Sequence, residues 1–180
     1  MKKLNAPLVI AIGSVSGGGK TTIVTRLIKQ LQYSKALFFD SYDFEGPHDV
    51  LKWVDNGADS NEWNLTPLKR DIEEMLPQPL DYIFLDYPFA YQHSQISKFI
   101  DVTVFIDTPL DIALARRMIR DFKGSSADEI LLQMQHYATQ GRRGYLEMLQ
   151  NIKPDSDLVI DGTLPVNEIA NRIAEQVKDI

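Results

Sequence analysis

Three glycines followed by a lysine and two threonines, Gly17-Gly18-Gly19-Lys20-Thr21-Thr22, are the residues of this chain best suited to hold phosphate. Glycine has no Cβ, so backbone N–H groups can come close to phosphate oxygens and the chain can turn with positive φ. Ser16 opens that cradle. Lys20 can reach the β- and γ-phosphates of a triphosphate, and the Thr21 hydroxyl can complete the oxygen shell of Mg2+. A short apolar run at 8–12 precedes the glycines and a helical pattern follows them. That order, strand then loop then helix, points a helix N-terminus at the same anion. Ser14 stands where the usual pattern has its first glycine, and Gly13 falls one position early. The turn is therefore expected to open differently, with Lys20 and Thr21 unaffected. The spacing predicts a nucleoside triphosphate site; a glycine-rich turn in an ordinary βα unit is the plainer alternative.

Carboxylates and arginines supply further chemistry. Asp86 closes the apolar run Tyr82-Ile-Phe-Leu-Asp86 and is placed to hold the Mg2+ shell, unless it is only a turn aspartate. Tyr87 follows it where motor and transporter ATPases carry a water-polarising glutamate, which argues against those classes. Asp40, in Phe38-Phe-Asp-Ser-Tyr-Asp-Phe44, can accept a proton from an attacking hydroxyl or assist the metal, and Asp43 competes for either role. Arg116, Arg117 and Arg120 suit the charge of a transferring phosphoryl group, although helical spacing lets at most two share a target. The competing reading is a solvated basic face paired with Asp111 and Asp121. Arg142 and Arg143 read as solvated. Between Trp53 and Trp63 lie several polar residues, Glu62 among them. Aromatics with polar neighbours can form an acceptor pocket, or the two tryptophans can anchor a surface loop to the core.

These groups need elements that bring them together. Strand-length apolar runs occur at 8–12, 35–39, 82–86, 102–107 and 158–161, separated by helical patterns at 20–31, 67–76, 109–122, 127–150 (with a break at Gly141 as an option) and 165–177. Thr108 before Pro109, Thr66 before Pro67, and Ser126 with Glu129 read as helix N-caps. Alternating strands and helices predict a three-layer α/β/α domain around a five-stranded parallel sheet. Ligands of such sheets gather at the carboxyl ends of the strands, where Gly13, Asp40, Asp86, Asp107 and Asp161 fall. Asp107 reads as a turn former or cap.

The 180 residues suit one domain, with 44–65 as an acceptor-side insertion and 121–145 as a lid region. A net charge of −6 argues against a nucleic-acid-binding surface, and the absence of cysteine excludes disulfides and thiolate chemistry. The apolar run after Met1-Lys-Lys is too short for a signal peptide and flows into the phosphate loop, and no segment approaches a membrane span. The expectation is a cytoplasmic protein with a small-molecule partner, neither nucleic acid nor membrane, and a homo-oligomer is compatible with it.

The chain resembles the uridine kinase, phosphoribulokinase and pantothenate kinase group of P-loop kinases, nearly end to end. The phosphate loop is similar to theirs, and Asp40-Ser41-Tyr42 looks like their Asp-Ser-Phe element. Phe105-Ile-Asp-Thr-Pro-Leu-Asp111 leading to Arg116-Arg117-Met-Ile-Arg120-Asp121 resembles the approach to their lid, and Asp157-Leu-Val-Ile-Asp-Gly162 resembles their last strand. The resemblance implies ATP-dependent phosphorylation of a hydroxyl on a small metabolite, a nucleoside or related compound among the candidates. It makes the acid at Asp40 the base, with Lys20, Arg116 and Arg120 as catalytic cations. It places Arg117 on the phosphates and the backbone of Gly162 and Leu164 at the base pocket. Two departures stand out. Phe122-Lys-Gly-Ser-Ser126 replaces the arginine-rich lid of uridine kinases, and 44–65 does not align with their nucleoside-recognition segment. Tyr42, Asp43, Trp53, Glu62 and Trp63 are the expected acceptor contacts. The alternative is a nucleotide-binding regulatory ATPase or GTPase module without a small-molecule acceptor. Against a GTPase, Asn151-Ile-Lys-Pro-Asp155 has the wrong spacing for guanine readout.

Overall fold

Strand β1 (Leu8–Gly13) carries alternate side chains into two different cores, as a strand buried on both faces must. Ile10 and Ile12 enter one core, Val9 and Ala11 the other. In the computed structural model, which describes residues 6–178 and Ile180, β1 is the middle strand of a five-stranded sheet ordered β2-β3-β1-β4-β5. Its neighbours are β2 (Ser34–Phe38), β3 (Tyr82–Asp86), β4 (Val102–Asp107) and β5 (Leu158–Asp161), all paired in parallel. The three-layer α/β/α arrangement expected from the alternation is the one found.

Helices α1 (Lys20–Gln30) and α8 (Val166–Lys178) cover the first core. α8 buries Ile169, Ala170, Ile173, Ala174 and Val177, a stripe at helical spacing, and Gln30 Nε2 on α1 donates to Asn171 Oδ1 at 2.7 Å. On the other face α3 (Thr66–Met75) buries Leu68 and Ile72 beside Ile83 and Leu85. The segment before α3 contains a short helix, α2 (Val50–Asp55), capped by the Asp49 side chain on Lys52 N–H. Another, α4 (Ser94–Ser97), follows β3. Neither has a periodic stripe long enough to announce itself in sequence.

Two expected caps are not caps. Thr66 is the first residue of α3, and the Asn64 side chain accepts its N–H at 3.3 Å. α5 (Leu110–Asp121) starts one residue after Pro109, and the Thr108 side chain is used elsewhere. The Ser126–Glu129 capping box is present at the start of α6 (Ala127–His136). The helical run expected at 127–150 does not break at Gly141. A π-helical turn (Tyr137–Gly141) leads into α7 (Arg142–Glu147), and a second one (Met148–Ile152) closes it. α6 buries none of its residues.

Candidate active site

The phosphate loop leaves β1 at Gly13 and enters α1 at Lys20. Gly17 and Gly19 take φ of +80° and +105°, a region that disfavours side chains. Gly17 is further constrained by space, since a Cβ there would lie 2.1 Å from the Ala113 carbonyl oxygen of α5. Ser14 does not take positive φ and is buried, donating its hydroxyl to the Val15 carbonyl at 2.9 Å. The loop thus accommodates a side chain where the common pattern has glycine. In exchange, position 18 must stay bare: a Cβ on Gly18 would meet Ser14 Oγ at 2.5 Å.

Register then brings the acids in. Asp86, the last residue of β3, lies opposite Ile12 on β1 and opposite Phe38 on β2. Its buried carboxylate accepts the Thr21 hydroxyl on Oδ2 at 2.5 Å and faces the Lys20 ammonium with Oδ1 at 2.8 Å. That second contact is an ion pair without hydrogen-bond alignment, so Oδ1 keeps an accepting lone pair free. Asp40 sits in a 3-10 turn (Phe39–Ser41) just past β2, its side chain 82% exposed and 3.9 Å from Lys20 Nζ. A lysine between two carboxylates at the mouth of a phosphate loop is poised to exchange one of them for a phosphate.

A cavity of about 550 Å³ opens over this group. Ser16, Gly17, Gly18, Gly19, Lys20, Thr21 and Thr22 line it, together with Asp40, Arg116, Arg120, Gly162 and Leu164. Arg116 and Arg120 lie one turn apart on α5, and both reach the cavity. Arg116 Nη1 approaches the Gly162 carbonyl at 3.5 Å. Arg120 forks onto its neighbour Asp121, with Nε–Oδ1 at 2.6 Å and Nη2–Oδ2 at 3.1 Å. Those bonds hold the Asp121 carboxyl below the usual carboxylate range and raise the guanidinium. Arg117 is directed elsewhere: it packs behind Gly17, donates to the Tyr145 hydroxyl at 3.2 Å and pairs with Asp121 at 3.6 Å. Its guanidinium is not part of the cavity wall, because consecutive helical residues point about 100° apart.

The expected acceptor contacts form a separate aromatic layer. Trp63 meets Phe39, Trp53 and Phe89 at ring-centroid distances of 6.0, 6.1 and 6.2 Å, and Tyr42 stacks on Phe44 at 4.9 Å. The Tyr42 hydroxyl donates to Asp71 Oδ2 at 2.7 Å, and burial with that bond pushes the phenol above its ordinary value. Trp53 Nε1 donates to the Asp59 carbonyl at 2.9 Å. Both tryptophans pack on the second core, and Asp43 and Glu62 are exposed. None of these five residues lines the cavity. His93, buried, bridges the layer to the loop after β3 by an Nε2 contact with the Trp63 carbonyl at 3.0 Å, and Asn61 Oδ1 accepts from Ser94 N–H at 3.0 Å. Sequence reasoning missed His93, and it also missed Pro88, Met148, Val166 and Ile169, which are further parts of the cavity wall. No local signal marks them; each arrives through tertiary packing.

The sheet, the phosphate loop and the strand-end acids define a P-loop kinase of three layers. The sequence model of the phosphoribulokinase/uridine kinase family matches residues 49–170, and the chain belongs to that family. The match begins downstream of the phosphate loop, so loop and family are independent observations. A uridine kinase of Borreliella burgdorferi (strain ZS7) is 26% identical over 178 residues, covering 84% of this chain and 85% of that protein. A uridine kinase of Brevibacillus brevis is 25% identical, covering 86% of this chain and 84% of the relative. Among solved structures, a sugar kinase from Janibacter sp. HTCC2649 superposes with a TM-score of 0.58 at 17% identity, covering 96% of this chain and 95% of that one. The deoxyadenosine kinase from M. mycoides gives 0.54 at 17% identity, covering 96% and 100%. The chain is an ATP-dependent kinase of small metabolites, and the reading as a regulatory module without an acceptor is not favoured. Among the described residues no helix is long and apolar enough to cross a membrane.

Proposed function

We propose that this kinase transfers the γ-phosphoryl group of Mg·ATP to a hydroxyl of a nucleoside or a closely related compound in the cytoplasm. One observation carries the reading: Lys20 Nζ lies 2.8 Å from Asp86 and 3.9 Å from Asp40, on a cavity wall that also presents Arg116 and Arg120. The names of the relatives, uridine kinases, favour a nucleoside acceptor. Magnesium suits the donor set. A hydroxyl and a carboxylate in contact, with one lone pair of Asp86 free, are the few hard oxygens this ion takes beside substrate phosphates and water. Bound there by Thr21 and Asp86, it would neutralise charge on the phosphates.

The chain's own groups then divide the work. Lys20 exchanges its pairing with Asp86 for the β- and γ-phosphates. Arg116 and Arg120 stabilise the charge spread over the transferring group, Arg120 leaving Asp121 to do so. Asp40, exposed to the cavity, accepts the proton of the attacking hydroxyl. Gly162 and Leu164 flank the base. Residues 121–145 act as the lid and 44–65 as the acceptor wall. Trp63 Nε1 in that wall, and the Tyr87 hydroxyl in the core cluster behind it, are buried without a hydrogen-bond partner among the described residues, which supports a recognition role there.

Purified protein given Mg·ATP and a panel of nucleosides, sugars and vitamin precursors tests the reading. One acceptor class should raise ADP formation and carry the new phosphate, and EDTA should abolish turnover. If no acceptor raises ADP formation and Asp40→Asn leaves residual turnover untouched, the assignment fails.

A further inference from the structure

Thr108 follows β4 directly and is 1% exposed, although threonine at a strand-to-helix corner usually caps the helix. Its hydroxyl instead donates to the Gly18 carbonyl at 2.9 Å, across 90 residues of sequence. On its other side the same hydroxyl touches the loop after β5. A Cβ on Gly162 would lie 1.9 Å from Thr108 Oγ1, and Gly162 N–H donates to the Asp107 carbonyl at 2.9 Å. Thr108 therefore stands between the phosphate loop and the segment after β5, both of which line the cavity.

The peptide unit explains what this contact controls. The Gly18–Gly19 peptide is planar and trans, so its carbonyl and its N–H point in opposite directions. Holding the Gly18 carbonyl on Thr108 turns the Gly19 N–H away from Thr108. Among the described residues no backbone carbonyl takes that N–H. Glycine on both sides of the peptide leaves its rotation almost unrestrained by side chains, so an external anchor has a large effect.

We propose that Thr108 is a positioning residue for ATP, fixing the Gly18–Gly19 peptide so that the Gly19 N–H faces the phosphates while its contact with Gly162 sets the distance to the base loop. The proposal rests on the reading of this cavity as the ATP site. Thr108→Val keeps the shape and removes the donor. It should raise the Kd and KM for ATP about tenfold, the scale of one buried carbonyl left unpaired, and leave the KM of the acceptor unchanged. Thr108→Ser should restore ATP affinity to within about twofold, because it returns the hydroxyl. Gly162→Ala, which displaces that hydroxyl, should reproduce the Thr108→Val effect. Calorimetric ATP titration, the two KM values and the Tm of each variant decide the matter. Unchanged ATP affinity in Thr108→Val overturns the proposal. So does a fall in Tm and in both affinities that Thr108→Ser fails to reverse. Should Thr108→Val not fold, Thr108→Ser against Thr108→Ala makes the same comparison. Wild-type protein that binds no ATP would instead overturn the underlying site assignment.

Discussion

The proposed donor half of the site and its proposed acceptor half are built from opposite materials. The donor half is a contiguous loop whose working surface is backbone, with side chains missing at Gly17 and Gly18 because neighbours occupy the space and at Gly19 because its φ is +105°. The acceptor half is made of rings contributed by three distant stretches. Phe39 and Phe44 lie 4.8 Å apart by centroid, Phe39 and Phe89 5.5 Å, and Trp63 covers Gly46 so closely that a Cβ there would be 2.5 Å from its ring. A wall of this kind is also part of the core. Donor substitutions should therefore damage chemistry and spare the fold, whereas acceptor-wall substitutions should disturb both.

The largest effect is expected for Lys20→Ala. ATP binding should weaken by about a hundredfold or more, since a charge-assisted contact to phosphate is lost, while the chain keeps its fold, with Tm lowered only by the loss of the Asp86 partner. Near-normal ATP affinity by calorimetry would break the donor side of the comparison. Asp40→Asn should come next, lowering kcat by about 10²- to 10⁴-fold with little change in ATP affinity. Loss of Mg·ATP binding in that variant would move Asp40 from the proton to the metal.

Trp63→Ala probes the other half. Removing a partly buried ring from the layer should cost about 2–4 kcal/mol in denaturant unfolding and raise the KM of the acceptor, leaving the KM for ATP unchanged. A shift in ATP affinity as large as the acceptor's would erase the division between the halves. The smallest effect belongs to Arg143→Ala. Arg143 Nη1 donates to both carboxylate oxygens of Asp55 at 2.5 and 2.7 Å, tying α7 to α2, but both side chains are about half exposed. Its loss should change stability by less than about 1 kcal/mol, and high salt should mask even that.

Sequence legibility follows the same division. Strand positions came through because fully buried parallel strands read as apolar runs. Leu8–Gly13 and Tyr82–Asp86 differ from their expected bounds by a residue at most, and β2 shifts by one. Lys20, Thr21 and the glycines are legible because their chemistry depends on residues within one turn of chain. Asp86 could be placed beside them by the rule that ligands gather at strand ends. Arg117 and Thr108 were not legible in the same way. Arg117 differs from Arg116 only in helical phase against a neighbour, Tyr145, that sequence does not position. Thr108 has the local signature of a cap, and only the packing of β4 against the phosphate loop redirects its hydroxyl.

By itself, then, the sequence determined the layers of the sheet, the phosphate loop and the acids at its strand ends, because periodicity and short motifs are local properties of a chain. Tertiary structure alone decided which arginines face the cavity, that Ser14 is absorbed at the expense of Gly18, and that Trp53 and Trp63 join one aromatic wall. The arginine directions and the aromatic wall depend on packing between elements that strand order and helix phase bring together, and the Ser14 exchange depends on the folded path of the loop, none of which residue types and spacing specify.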